Sequence, residues 1–165
     1  IEAGDITLDD IYSVHPFGNT MCVIRVTGQQ VLDALEWGAR AVPSENGGFL
    51  QVSGLTYEIH TGVASSAEKD ENGMFTRVSG EYRVKNVMVG GQPLELDKTY
   101  TLASHNYMLL GHGDGYTMFD GCEVLGEDMM VDNQVLITYI TTTLGGVVGE
   151  QYANPYGDGR IVAVE

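Results

Sequence analysis

Apolar positions recur along this chain in two rhythms, one close to 3.6 residues and one of 2, and together they divide it into short helices and strands. Thr7-Leu8-Asp9-Asp10 places an N-cap residue before two acids, and Ile11, Tyr12 and Val14 follow before Pro16 forbids continuation, which predicts a short helix ending at a Pro-Phe-Gly turn. Residues 20–26 (TMCVIRV) are β-branched and apolar, a strand signal. Thr27 and Gln30 then form a capping box ahead of Val31, Leu32, Leu35 and Trp37, so the strand runs directly into an amphipathic helix. Residues 49–60 (FLQVSGLTYEIH) alternate like a half-buried strand, with Gly54 marking a bulge or a close backbone approach. Residues 64–80 are polar around Glu68-Lys69-Asp70-Glu71-Asn72-Gly73 and predict an exposed hairpin connection.

Alternation returns over residues 82–89 (YRVKNVMV), turns at Gly90-Gly91 and continues through Pro93-Leu94 into a strand over residues 99–103, and these two strands are expected to be sheet neighbours. With Asp132 as N-cap, Val135, Leu136, Tyr139, Ile140 and Leu144 share one helical face until Gly145-Gly146 stops the run, although Thr141, Thr142 and Thr143 are poor helix formers. Residues 160–164 predict a terminal strand. Strands and helices mix without regular βαβ alternation, so the expected fold class is α+β, a mixed β-sheet with helices packed against it.

Composition narrows the partners. The 165 residues carry 23 Asp plus Glu against 8 Lys plus Arg, a net charge of -15, with 43% hydrophobic residues. That apolar content suits one folded domain of ordinary size, spanning residues 1–165 with no linker or internal repeat. The charge repels a phosphate backbone and an anionic membrane surface, and no apolar run is long enough to span a bilayer. No nucleic-acid polymer and no membrane insertion are therefore expected. The chain begins with Ile and has no signal-like leader, so it is expected to be a piece of a longer protein, and the missing leader says nothing about location.

Cys22 and Cys122 lie far apart, and a bridge between them would add about 4 to 5 kcal/mol on the chain-entropy model. Because Cys22 sits in the apolar run Met21-Cys22-Val23-Ile24, a buried free thiol is the plainer alternative. Metal-ligand patterns fail. A calcium loop aligned on Gly73 finds Glu68, Asp70 and Asn72 but has Ser79 at its closing acid position. His15, His60, His105 and His112 lack zinc-ligand spacing, and no metal is expected in this chain. Ser104-His105 lacks a nucleophile elbow.

Two positions stand out. Asp114, in Gly111-His112-Gly113-Asp114-Gly115-Tyr116, is a carboxylate between glycines that let the backbone approach a ligand, and it can accept hydrogen bonds from vicinal hydroxyls such as those of a ribose. The alternative is a tight turn in which Asp114 caps its own backbone. Phe17, in His15-Pro16-Phe17-Gly18-Asn19, is a large ring in a turn, able to stack on a flat ligand or to fold back as a lid on the core.

Taken in order, Gly4-Asp5-Ile6-Thr7, Pro16-Phe17-Gly18-Asn19, Val26-Thr27-Gly28 with Leu35-Glu36, Gly48-Phe49-Leu50-Gln51-Val52-Ser53-Gly54-Leu55, Gly91-Gln92-Pro93-Leu94 and Gly113-Asp114-Gly115-Tyr116 resemble the C-terminal domain of the 5'-nucleotidase family. The set covers almost the whole chain. The resemblance implies a substrate-specificity domain in which two aromatic rings sandwich a nucleotide base and an Asp holds the ribose. These roles map onto Phe17, Tyr107 and Asp114, with Asn19, Asn106 and Gly113 as secondary candidates. The segment from Tyr107 to Asp114 is one residue longer than the family pattern, with His112 interrupting the usual Gly-Gly, which leaves Tyr116 as the alternative second ring.

The same resemblance places catalysis elsewhere, on two divalent metal ions in an N-terminal metallophosphoesterase domain, and implies an extracellular, periplasmic or cell-wall location. An Asn-Gly-Gly-x-Ile-Arg segment is expected before residue 1. A 5'-nucleotidase, a 2',3'-cyclic nucleotide phosphodiesterase and a UDP-sugar hydrolase all fit, and a noncatalytic surface-binding module is the alternative from another class. The isolated chain is expected to be inactive.

Overall fold

The computed structural model describes residues 3–154 and 157–165. Helix α1 (Leu8–Val14) starts at Thr7, whose hydroxyl accepts from the Asp10 N–H while the Asp10 carboxylate accepts from the Thr7 N–H at 2.8 Å. Strand β1 (Met21–Thr27) buries Cys22, Ile24 and Val26 on one face and exposes Arg25 on the other, the period-2 pattern of a sheet with one face on the core. At Thr27 the chain enters α2 (Gly28–Ala39) through the expected capping box with Gln30. The buried face of α2, Val31, Ala34, Leu35 and Trp37, packs on the same core as Ile24 and Val26.

Two larger sheets and a small hairpin surround this core. Strand β1 is central in the order β7-β1-β8, antiparallel to both β7 (Thr99–His105) and β8 (Glu123–Gly126). The second sheet runs β6-β5-β2-β9, from β6 (Gln92–Pro93) through β5 (Val84–Val89) and β2 (Leu55–His60) to β9 (Ile161–Val164), with β9 parallel to β2. Strands β3 (Ala67–Lys69) and β4 (Phe75–Val78) form the hairpin. Helices α1 and α2 with one antiparallel sheet and one mixed sheet make the α+β class a finding.

Buried Glu36 ties α2 to the second sheet. One carboxylate oxygen accepts from the Val84 N–H at 2.9 Å, the other has no hydrogen-bond partner among the described residues, and burial raises its pKa above the ordinary value.

Several expectations are corrected. β5 and β7 are not neighbours. The Gly90-Gly91 turn, both residues at positive φ, folds the short β6 back onto β5, and the N–H groups of Gly28 and Gln29 bind the carbonyls of Lys98 and Leu96, so the chain leaves for the other sheet and β7 pairs with β1. The strand expected over residues 49–60 begins only at Leu55; before it, Phe49, Leu50 and Val52 pack against the core without a ladder. The hairpin over residues 64–80 exists, but it is not simply exposed, because Phe75 is buried edge-on against Trp37 at 5.7 Å between ring centroids. Its turn is built by Asp70, whose carboxylate accepts from the N–H groups of Asn72 and Met74.

Helix α4 (Asp132–Thr138) is capped by Val131, so Asp132 is its first residue and not its cap. The chain then widens into a π-turn (Tyr139–Thr143), with the Thr141 hydroxyl donating to the Ile137 carbonyl, before Gly145 and Gly146 end it at positive φ. Cys22 and Cys122 are free thiols. The register Ile24↔Val124 and Arg25↔Glu123 sets Cys122 level with Val26, about 13 Å along β1 from Cys22, twice the reach of a disulfide. No helix among the described residues is long and apolar enough to cross a membrane.

Candidate functional site

The register of β1 and β7 brings the aromatic candidates to one end of a sheet. Met21 pairs with His105, and the ladder extends one step further through the Asn106 N–H to the Thr20 carbonyl at 2.8 Å and the Thr20 N–H to the Asn106 side-chain oxygen at 3.1 Å. Phe17 lies in the loop leading into Thr20, and Tyr107 follows Asn106 in α3 (Asn106–Leu109). Both rings therefore stand at the same end of this strand pair. Asn106 also accepts from the Tyr107 N–H at 2.9 Å, so its side-chain oxygen joins the strands. Asn19 accepts the Asp132 N–H on its carbonyl, while its half-buried side-chain amide makes no hydrogen bond among the described residues.

Phe17 is 84% exposed. A ring folded onto the core is thereby excluded, and an apolar ring left in water is one that a flat ligand can cover. Tyr107 is 47% exposed, and its ring lies against Gly113 so closely that a Cβ there would fall 2.2 Å from the ring edge. A side chain at position 113 would push the Tyr107 ring out of its present place. The Tyr107 hydroxyl is 3.5 Å from a carboxylate oxygen of Asp114, which links the second ring to the acid.

Asp114 adopts the left-handed conformation at φ 54°, uncommon for a residue with a side chain, within the tight turn Gly113–Gly115. Its exposed carboxylate accepts no backbone N–H among the described residues, so the self-capping turn is not what forms. The backbone is fixed instead from α2, where the Trp37 indole N–H donates to the Asp114 carbonyl at 2.9 Å. Gly48 approaches from the other side, so near that a Cβ on it would meet the Asp114 Cβ at 3.0 Å and a carboxylate oxygen at 3.3 Å.

Tyr116, the alternative second ring, is removed from contention: it is 1% exposed, lies parallel to Phe119, donates to the Gly48 carbonyl, and burial pushes its phenol pKa well up. It is a core residue that carries the Gly48 loop. Sequence reasoning missed Trp37 as the holder of Asp114, together with Arg40, whose guanidinium lies 3.7 Å from the Trp37 ring centroid and donates to the Trp37 carbonyl at 2.7 Å. Burial lowers the Arg40 pKa, with the charges of Tyr116 and Asp114 acting against that shift. The only local signals were the pairs Trp37-Gly38 and Gly47-Gly48.

A cleft of about 410 Å³ includes Met21 and His105 and so borders the same strand ends; His15, Asp132, Leu136 and Tyr139 also line it. Among the described residues no cluster of three or more His, Cys, Asp or Glu side chains is placed to hold a metal ion. The chemistry gathered at this end of the strand pair is two exposed rings, Phe17 and Tyr107, and the exposed carboxylate of Asp114 beside Tyr107.

Residues 1–121 match the family model described as 5'-nucleotidase, C-terminal domain. The chain is 33% identical over 164 residues, 99% of its length, to the trifunctional nucleotide phosphoesterase protein YfkN of Bacillus subtilis, and 28% identical over 85% of its length to protein UshA of Escherichia coli. It spans 10% and 22% of those two proteins respectively. Its fold matches the crystal structure of a 5'-nucleotidase precursor from Thermus thermophilus with a TM-score of 0.76 and 30% identity, covering 96% of this chain and 28% of that one. The chain belongs to the 5'-nucleotidase C-terminal domain family.

Proposed function

We propose that this chain is the substrate-specificity part of a 5'-nucleotidase-type phosphohydrolase working outside the cytoplasm. It holds the base and ribose of a nucleotide whose phosphate ester is cleaved by an N-terminal metallophosphoesterase domain. The observation that carries this reading is the presence of two exposed rings, Phe17 and Tyr107, at one end of the β1–β7 pair, with the Asp114 carboxylate beside Tyr107. Stacking a base on such rings contributes about 1–3 kcal/mol per base. Asp114, an acceptor only, takes hydrogen bonds from the ribose hydroxyls, and a charge-assisted bond of this kind exceeds a neutral one. Two divalent metals, when bound in the N-terminal domain, supply the attacking water and neutralise the phosphoryl oxygens. The residues here orient the nucleoside and leave the anionic end to that site, in keeping with a chain of net charge -15.

A wider range of nucleotide phosphoesters is the second reading, and the named trifunctionality of the Bacillus subtilis relative favours it. The test is adenosine and AMP titrated into the full protein and into its Phe17→Ala variant. Affinity is expected to drop about 5- to 100-fold in the variant, the equivalent of one lost stacking contact. Equal affinities in two folded proteins overturn the stacking assignment. Hydrolysis of AMP, a 2',3'-cyclic nucleotide and a UDP-sugar, each with added divalent metal, separates the narrow reading from the wide one.

A further inference from the structure

We infer that Trp37 and Gly48, neither of which presents a group to the ligand, are positioning residues that set the direction of the Asp114 carboxylate and thereby determine selection for an intact ribose over a deoxygenated one. The inference rests on the assignment of Asp114 to the ribose.

The left-handed conformation is less favourable than the right-handed one for a residue with a side chain, because its Cβ crowds the backbone there, and surrounding contacts give it support. At Asp114 that support comes from two directions. Trp37, 1% exposed, donates its indole N–H to the Asp114 carbonyl at 2.9 Å and so fixes the orientation of the peptide that follows the acid. The ring is itself held, with Phe75 edge-on at 5.7 Å and the Arg40 guanidinium 3.7 Å from its centroid. On the other side Gly48 lies against Asp114, close enough that a methyl group would press on the Asp114 Cβ at 3.0 Å and on Cγ and Oδ2 at 3.3 Å. The Gly48 carbonyl accepts from the buried Tyr116 hydroxyl and its N–H donates to the Asn46 side chain at 3.2 Å, so this wall does not yield freely.

A carboxylate that must meet two hydroxyls at once is sensitive to direction. The reach of a good hydrogen bond spans only a few tenths of an ångström, and the bond weakens steeply off line. An anchor on the main chain of Asp114 and a wall on its Cβ control that direction without touching the sugar. They act on ribose selection while leaving the stacking of the base to Phe17 and Tyr107.

The test measures affinities of the full protein for adenosine and 2',3'-dideoxyadenosine. Trp37→Phe keeps a buried aromatic ring and removes the indole N–H together with part of the bicycle that bears it; Gly48→Ala leaves Trp37 whole and adds a methyl group, a second and independent route to the same displacement. The wild type is expected to prefer adenosine by about tenfold or more, the equivalent of one hydrogen bond to a charged acceptor. Both variants should narrow that ratio toward the ratio shown by Asp114→Asn while binding the dideoxynucleoside as the wild type does. A general loss of packing would weaken both ligands together and leave the ratio intact. If the wild type prefers adenosine and both folded variants keep its ratio, the positioning role is overturned and the ribose assignment stands. A wild type that binds both nucleosides equally overturns the ribose assignment and this inference with it.

Discussion

The two sides of the candidate site are built to different standards. Asp114 is gripped by Trp37, faced by Gly48 and touched by the Tyr107 hydroxyl, and the Tyr107 ring is backed by Gly113. Phe17 stands between Pro16 and a Gly18 at positive φ, 84% exposed, in a loop that follows α1, whose only buried residue is Ile11. The polar group proposed to meet hydroxyls in a fixed direction is preorganised. The ring that need only offer a flat face is left to adjust, because dispersion and stacking tolerate displacements that a directed hydrogen bond does not.

This contrast can be broken most forcefully at Trp37. Trp37→Ala empties the centre of the gripped side and should cost about 3–5 kcal/mol of stability, read from urea unfolding. Phe17→Ala should shift the same unfolding curve by no more than about 0.5 kcal/mol, since little of that ring is buried. A large loss at Phe17 would show that the two sides are equally built. Next in size is Asp114→Ala, expected to remove about 1.5–3 kcal/mol of nucleoside binding, the range for a hydrogen bond to a charged group, when measured by calorimetric titration of adenosine.

Asp114→Gly sharpens the comparison in the opposite direction. It relieves the left-handed backbone at φ 54° and should raise stability by about 0.5–1 kcal/mol while losing ribose selection, a gain in unfolding free energy bought with function.

A smaller effect, in pH, belongs to Glu36. Burial favours its protonated form, so the folded protein holds this proton more tightly than the unfolded chain does. Its contribution to stability is complete below the ordinary carboxyl value of 4.5 and falls as pH rises through the raised folded value. Unfolding measured from pH 4 to pH 8 should therefore give a less negative slope for Glu36→Gln than for the wild type. Identical slopes would mean that the buried carboxyl titrates as it does in the unfolded chain. Smallest of all, Arg25→Ala removes the exposed pair with Glu123 at 3.2 Å and should change stability by less than about 1 kcal/mol.

Local chemistry made much of the fold legible in the sequence. Thr27 and Gln30 announce α2 because a capping box is a bond between neighbours, and the β-branched run ahead of them announces β1. Pairing was harder to read. The alternation in β5 and β7 says that each has one packed face, but the choice of partner depends on how Gly28 and Gln29 hold residues 96 and 98, contacts distant in sequence. Residues 49–54 alternate because they rest on the core, and nothing in that pattern distinguishes a packed extended segment from a hydrogen-bonded strand. β8 was overlooked because Glu123-Val124-Leu125-Gly126 is too short to show a rhythm. At the site, the unusual placing of Phe17 in a turn and Asp114 between glycines pointed to both. Trp37 looked like any core aromatic, since the direction of an indole N–H leaves no mark in the sequence.

The parallel strand β9 carries a consequence for how the chain is made. The Tyr57 N–H donates to the Arg160 carbonyl and the Thr61 N–H to that of Val164, so one edge of β2 waits for residues synthesised about a hundred positions later. Until they arrive, the nascent chain exposes an unpaired strand edge open to pairing with a neighbour, while β1 and α2 need no such late arrival to join. A ribosome stalled before Ile161 would thus release a chain able to form β1 and α2 yet prone to self-association along β2.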